Sequence, residues 1–110
     1  MREKRRYILL YVSGISEVER FANIIYETVN KMNKTLAIQA NINVIKDLYR
    51  KENNGILGVI SVSNKYKYDV IFILSMIGRF FPATNLVTLR SSGSLKKIKG
   101  EMITYGASDK

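Results

Sequence analysis

The chain has no cysteine and no histidine among its 110 residues, and a single proline. Without cysteine there is no disulfide, no thiolate metal site and no thiol nucleophile. Without histidine there is no ordinary general base near neutral pH and no imidazole ligand for a metal. The carboxylates that remain for acid–base work, Asp47, Glu52, Asp69 and Glu101 among them, fall in no ligand spacing and read as solvated surface charges. A P-loop, a dinucleotide fingerprint and a nucleophile elbow are all missing. No active site is expected from this chain alone, and no cofactor held by it. Long apolar runs are absent too. The longest, 70–77, is broken by Ser75 and is far too short to cross a bilayer, and the basic start is followed by only a brief apolar stretch, 7–12. A soluble protein without a signal peptide is expected.

What is abundant is positive charge. Eighteen Lys and Arg stand against nine Asp and Glu, for a formal net charge of +9. The charge is clustered: Arg2, Lys4, Arg5 and Arg6 crowd the N-terminus, and Lys96, Lys97 and Lys99 lie near the other end. The acidic residues gather on the first helical segment, at Glu17, Glu19 and Glu27. A chain so polarised suits a nucleic acid or another polyanion.

A hydrophobic content of 46% supports a packed core, and the length fits one domain spanning 1–110, with flexible ends expected at about 1–5 and 106–110. Continuous β-favouring content predicts a strand over 6–12, with Ile8, Leu10 and Val12 on one face and Tyr7, Leu9 and Tyr11 on the other. Ser16 to Glu19 has the form of a capping box, and Val18, Phe21, Ala22, Ile25, Val29 and Met32 recur at helical spacing after it. A short helical turn at 36–40 precedes a second strand over 42–49. Asn-Gly near residue 54 predicts a hairpin, a third strand follows over 56–63, and Gly58 marks a bulge in it. Asn64 caps a second helix over 65–79, which Pro82 stops. A fourth strand at 86–90 and a third helix to about residue 105 complete the chain.

The predicted class is therefore α/β of the α+β kind: a βαββαβ sandwich, RRM-like or ferredoxin-like, with a four-stranded antiparallel sheet, two helices on one face and an additional C-terminal helix. On an open sheet face Tyr7 and Tyr11 would stack bases. If the C-terminal helix covers that face, they would not. The second helix carries a core stripe, Val70, Ile73, Leu74 and Ile77, and a second apolar stripe, Phe72, Met76 and Phe80, which suits a protein partner.

The stretch 86–99 runs from a strand through Ser-Ser-Gly-Ser into a basic helix. Unpaired N–H groups and the helix dipole at that start, with Lys96, Lys97 and Lys99 close behind, make an anion site able to grip a phosphate backbone.

Three segments resemble protein component 2 of archaeal and eukaryotic ribonuclease P. They are Arg2-Glu-Lys-Arg-Arg-Tyr-Ile8, Gly58-Val-Ile-Ser-Val-Ser-Asn-Lys-Tyr66, and Ser92-Gly-Ser-Leu-Lys-Lys-Ile-Lys99, the last similar to that family's Ser-Gly-Thr-Ile-Lys-Arg-Leu-Lys type of signature. The chain departs from the family at Ser61 and Asn64, where relatives often place arginine, and at Gly100, which interrupts the basic run. The resemblance implies an RRM-like, noncatalytic, cytoplasmic subunit. It would support the RNA that removes the 5′ leader from precursor tRNA with magnesium bound to that RNA. The protein partner implied is the TIM-barrel-like component 3, with a dimer of heterodimers as one arrangement, and precursor tRNA is met indirectly. RNA-binding residues on this reading are Arg5, Arg6, Lys65, Lys67, Arg90, Ser92, Gly93, Ser94, Lys96, Lys97 and Lys99. Phe72, Met76 and Phe80 would face the protein partner. The alternatives are another basic RNA-binding protein of the same fold, ribosomal or tRNA-binding, and a small-molecule-sensing domain, which the basicity disfavours.

Overall fold

Strands in this protein arise where β-branched and aromatic residues run together, and helices where apolar residues return every three or four positions. The computed structural model describes residues 4–104, the Lys46 side chain excepted. It is a mixed α+β structure built on an open antiparallel sheet. In chain order come β1 (Arg5–Ser13), α1 (Val18–Met32), α2 (Lys34–Gln39), β2 (Asn43–Glu52), β3 (Gly55–Ser63), a 3-10 turn (Asn64–Tyr66), α3 (Lys67–Leu74), a second 3-10 turn (Ile77–Arg79), β4 (Asn85–Ser92) and α4 (Leu95–Thr104). The strands lie in the order β2-β3-β1-β4, each antiparallel to its neighbours.

The alternation of β1 divides the core. Ile8, Leu10 and Val12 pack with Phe21, Ile25 and Val29 of α1, Leu36 of α2 and Val70 and Leu74 of α3. Leu9 faces the other way and joins Leu57, Val59, Ile98 and Met102 in a second cluster under α4, with Tyr7 and Tyr11 packed against it. The sheet is thus covered on both sides, and every residue of β3 is buried. Coverage on both faces explains why 56–60 shows no alternation of apolar and polar residues. The two tyrosines are therefore half-buried packing residues, and no bare stacking platform remains around them.

Several local expectations are corrected. The first helix starts at Val18 with Glu17 as an extended N-cap that makes no side-chain bond, so Ser16 and Glu19 form no capping box. Ile15 and Val18 both pack on the core, and this anchors the entry of the chain without a cap. Gly58 is in regular register, opposite Leu10 and Tyr49. Register is lost instead on the β2 strand, between Val44 and the Tyr49 that pairs with Gly58, and again where β1 meets β4, between Leu9 and Leu10. The hairpin strands reach closer to their turn than expected, with Glu52 paired to Gly55. The segment 65–79 is no single helix: α3 is eight residues long, flanked by two 3-10 turns, and Asn64 makes no N-cap bond there. The flexible ends expected at 1–5 and 106–110 fall mostly outside the described residues, but Arg5 belongs to β1.

Candidate nucleic-acid interface

Antiparallel pairing sets which basic segments meet. Arg5 lies opposite Ser63, Arg6 opposite Val62, and Tyr7 opposite Ser92. The start of β1 and the ends of β3 and β4 therefore share one edge of the molecule. What leaves that edge is basic: Lys65 and Lys67 follow β3, and Lys96 and Lys97 follow β4 through the Ser92-Gly93-Ser94 turn. Main-chain bonds hold the edge together. The Asn64 N–H donates to the Lys4 carbonyl at 2.8 Å, and the Ser63 N–H to the Ala40 carbonyl at 2.8 Å.

At this edge lies a cleft of about 440 Å³ lined by Lys4, Arg5, Arg6, Asn64 and Gly93. The two arginines have different tasks. Arg5 Nη2 donates to the Asn41 carbonyl and to Ser61 Oγ, each at 2.7 Å, and so clamps the start of β2 onto the sheet. Ser61 is an acceptor for that clamp. Arg6 has a solvent-sealed Nε with no acceptor among the described groups. Its Nη1 sits 3.2 Å from where a Cβ on Gly93 would be.

The α4 entrance is more self-contained than the bare motif suggests. Ser92 Oγ accepts from the Ser94 N–H at 3.0 Å, and Ser94 Oγ accepts from the Lys97 N–H at 3.4 Å. Both serines are turned to their own turn and cap it. Attraction for an anion at this point thus comes from the helix dipole and from the exposed side chains of Lys96, Lys97 and Lys99, with Ile98 and Met102 anchoring the inner face. Arg90 stands apart: its Nε is 3.5 Å from Glu101 Oε2, both groups well exposed, so its charge is offset by a carboxylate. Lys65 lies 5.7 Å from the Tyr66 ring centroid, and Lys67 lies 4.3 Å from that of Tyr68.

The structure therefore brings Arg5, Arg6 and Gly93 into one cleft, places Lys65, Lys67, Lys96 and Lys97 on elements leaving the same edge, and separates Arg90 by its ion pair. Lys4 and Asn64 also line the cleft, and sequence reasoning does not find them there, because only the pairing of three distant segments makes them neighbours. On α3, Val70, Ile73 and Leu74 are buried while Phe72 is 65% exposed. Met76 and Phe80 are half-buried, and Lys31 lies 5.7 Å from the Phe80 centroid. Tyr68, 75% exposed and one turn before Phe72, extends that apolar strip beyond the residues the sequence singles out.

Among the described residues no group of three or more His, Cys, Asp or Glu could hold a metal ion, and no helix is long and apolar enough to cross a membrane.

No family model matches the chain, and no curated protein matches it. Among solved structures the chain is similar to a de novo designed protein, Foldit4, at 12% identity and a TM-score of 0.47, over 80% of this chain and 96% of that one.

Proposed function

We propose that the chain is a noncatalytic RNA-binding protein that uses the basic edge of its sheet to neutralise backbone phosphates. The observation that carries this reading is the convergence of Arg6, Lys4, Asn64 and Gly93 in one cleft, with Lys65, Lys67, Lys96 and Lys97 on the elements leaving the same edge. Phosphate contacts of this kind position an RNA without reading its sequence. The strand order and the placement of the helices favour a ferredoxin-like, RRM-like βαββαβ frame with an added C-terminal helix.

In its most specific form the proposal is a cytoplasmic subunit of ribonuclease P, of the protein component 2 kind. It rests there on the three sequence segments 2–8, 58–66 and 92–99. The magnesium would belong to the RNA, and this chain would lower the need for it by screening phosphates that the folded RNA packs together. The Phe72 strip would receive a TIM-barrel-like protein component 3, as a heterodimer or as a dimer of heterodimers. The runner-up, a ribosomal or tRNA-binding protein of the same frame, uses the same edge on a different RNA.

A gel-shift titration separates these readings. Salt-dependent binding to ribonuclease P RNA, with much weaker binding to an unrelated structured RNA of equal length, is the expected result. Equal binding to both would favour the general RNA binder. No shift with either at low salt would overturn RNA binding itself.

A further inference from the structure

We propose that the cleft at the sheet edge holds one phosphate group, with the Arg6 guanidinium as its direct ligand. The proposal takes its class of ligand from the RNA-binding reading, but its test needs no RNA.

The first ground is the state of Arg6. Its Nε is shut off from solvent and has no acceptor among the described groups. A desolvated N–H left without an acceptor is costly, and a charged donor more so. The residue is held by its place in β1, where it pairs with Val62, so its Cα cannot drift outward. The two Nη groups are not sealed in this way, and Nη1 lies beside Gly93 in the cleft wall. An anion in the cleft would accept from them and offset the charge that the described groups leave without a counterion.

Gly93 supplies the second. A Cβ at that position would lie 3.2 Å from Arg6 Nη1, so a side chain there would crowd the guanidinium within the space a ligand would use. The absence of a side chain leaves the guanidinium edge approachable through a cleft of about 440 Å³.

The lining selects the ligand. Lys4 and Asn64 share the cleft with the arginines, and no carboxylate is among its described lining residues. A carboxylate ligand offers two coplanar oxygens, enough for one guanidinium. A phosphate offers oxygens in a tetrahedron and can accept from Arg6 while also facing the Lys4 ammonium and the Asn64 amide. Arg5 is not needed for this, since its Nη2 is engaged with Asn41 and Ser61. The phosphate can arrive as a chain terminus or as a backbone diester, and both present the same oxygens.

The test is NMR of the arginine Nε–H resonances of the full chain, titrated with inorganic phosphate and then with short RNA oligonucleotides carrying either a 5′-phosphate or a 5′-hydroxyl. The Arg6 resonance should move saturably with inorganic phosphate, while Arg20 and Arg79 stay put. A response to both oligonucleotides assigns the site to a backbone diester. A response to the 5′-phosphorylated one alone assigns it to a terminal phosphate. Arg6→Lys should weaken phosphate binding about tenfold, because a point charge replaces a bidentate fork. Gly93→Ala, which obliges the guanidinium to give by a few tenths of an ångström, should weaken it by a smaller factor with the guanidinium retained, which guards against a folding defect in the first variant. An Arg6 resonance that no probe moves, or that moves no more than those of Arg20 and Arg79, overturns the proposal. If Arg6 answers to phosphate while gel shifts with RNA fail, the subsite stands and the RNA-binding reading falls. If RNA binds and Arg6 is silent, the reverse holds.

Discussion

The ring of Phe21 lies against the bare backbone of Gly58: a Cβ built on Gly58 would come 2.6 Å from Phe21 Cζ. Phe21 is fully buried on α1, and Gly58 sits mid-strand in β3 between Leu10 and Tyr49. The glycine is there so that α1 can press on the sheet.

Gly58→Ala should therefore cost about 1–3 kcal/mol, the usual range for forcing a methyl group into a packed core. Urea unfolding measures it, and Phe21→Leu in the same chain should recover part of the loss by clearing the contact. A neutral Gly58→Ala would show that α1 rides higher over β3 than the structure has it.

This pair also shows which parts of the fold are legible in the sequence. The alternation of Ile8, Leu10 and Val12 against Leu9 marks both faces of β1, and the stripe from Phe21 to Val29 marks the inner face of α1, because period and burial agree there. Gly58 reads as a bulge and is none, since a glycine that makes room for a ring far away in the chain leaves the same local trace as one that distorts a strand. Segment 65–79 reads as one helix for a related reason: its apolar residues keep helical spacing from Val70 to Phe80, and that spacing passes without a break through the 3-10 turn that follows α3. Asn33 ends α1 in extended backbone, and its side chain accepts from the Leu36 N–H to begin α2. That dual role depends on where α2 docks. The cleft is the least legible feature. Its walls come from residues 4–6, 64 and 93, which only strand register makes neighbours, whereas Lys96, Lys97 and Lys99 are visible as a cluster in any reading of the chain.

Gly100 lies inside α4, exposed, and a Cβ added to it would meet nothing within 4 Å. No contact there demands glycine, and glycine in a helix interior is less favourable than alanine by about 0.5–1 kcal/mol. Gly100→Ala should stabilise the protein by about that amount, seen as a higher urea midpoint with an unchanged slope. A drop in stability would mean that α4 must bend at Gly100 to seat Ile98 and Met102.

Replacing Phe72, Met76 and Phe80 with serine should weaken binding of a protein partner more than it weakens folding. Phe72 is 65% exposed, so Phe72→Ser alone should change stability by no more than about 0.5 kcal/mol. Met76 and Phe80 are half-buried and should cost more. Titration calorimetry with the TIM-barrel-like component 3 checks the binding arm and thermal melting checks the fold. Collapse of the fold with affinity retained in the residual folded fraction would make the strip part of the core.

Lys96, Lys97 and Lys99 project from the first turns of α4 into solvent while Ile98 holds the helix to the sheet. Changing all three to alanine removes charge without touching the buried face, so melting should stay nearly unchanged. RNA affinity should fall, and the fall should be similar across unrelated RNA sequences, because phosphate contacts carry little sequence information. The plot of log affinity against log salt should become shallower by up to about three charges' worth, each contacted phosphate contributing close to one unit of slope on duplex and somewhat less on single strands. In a reconstituted ribonuclease P the same variant should need more magnesium for leader removal, since fewer phosphates are screened by protein. An unchanged salt slope together with normal cleavage at low magnesium would overturn α4 as a phosphate-contacting element.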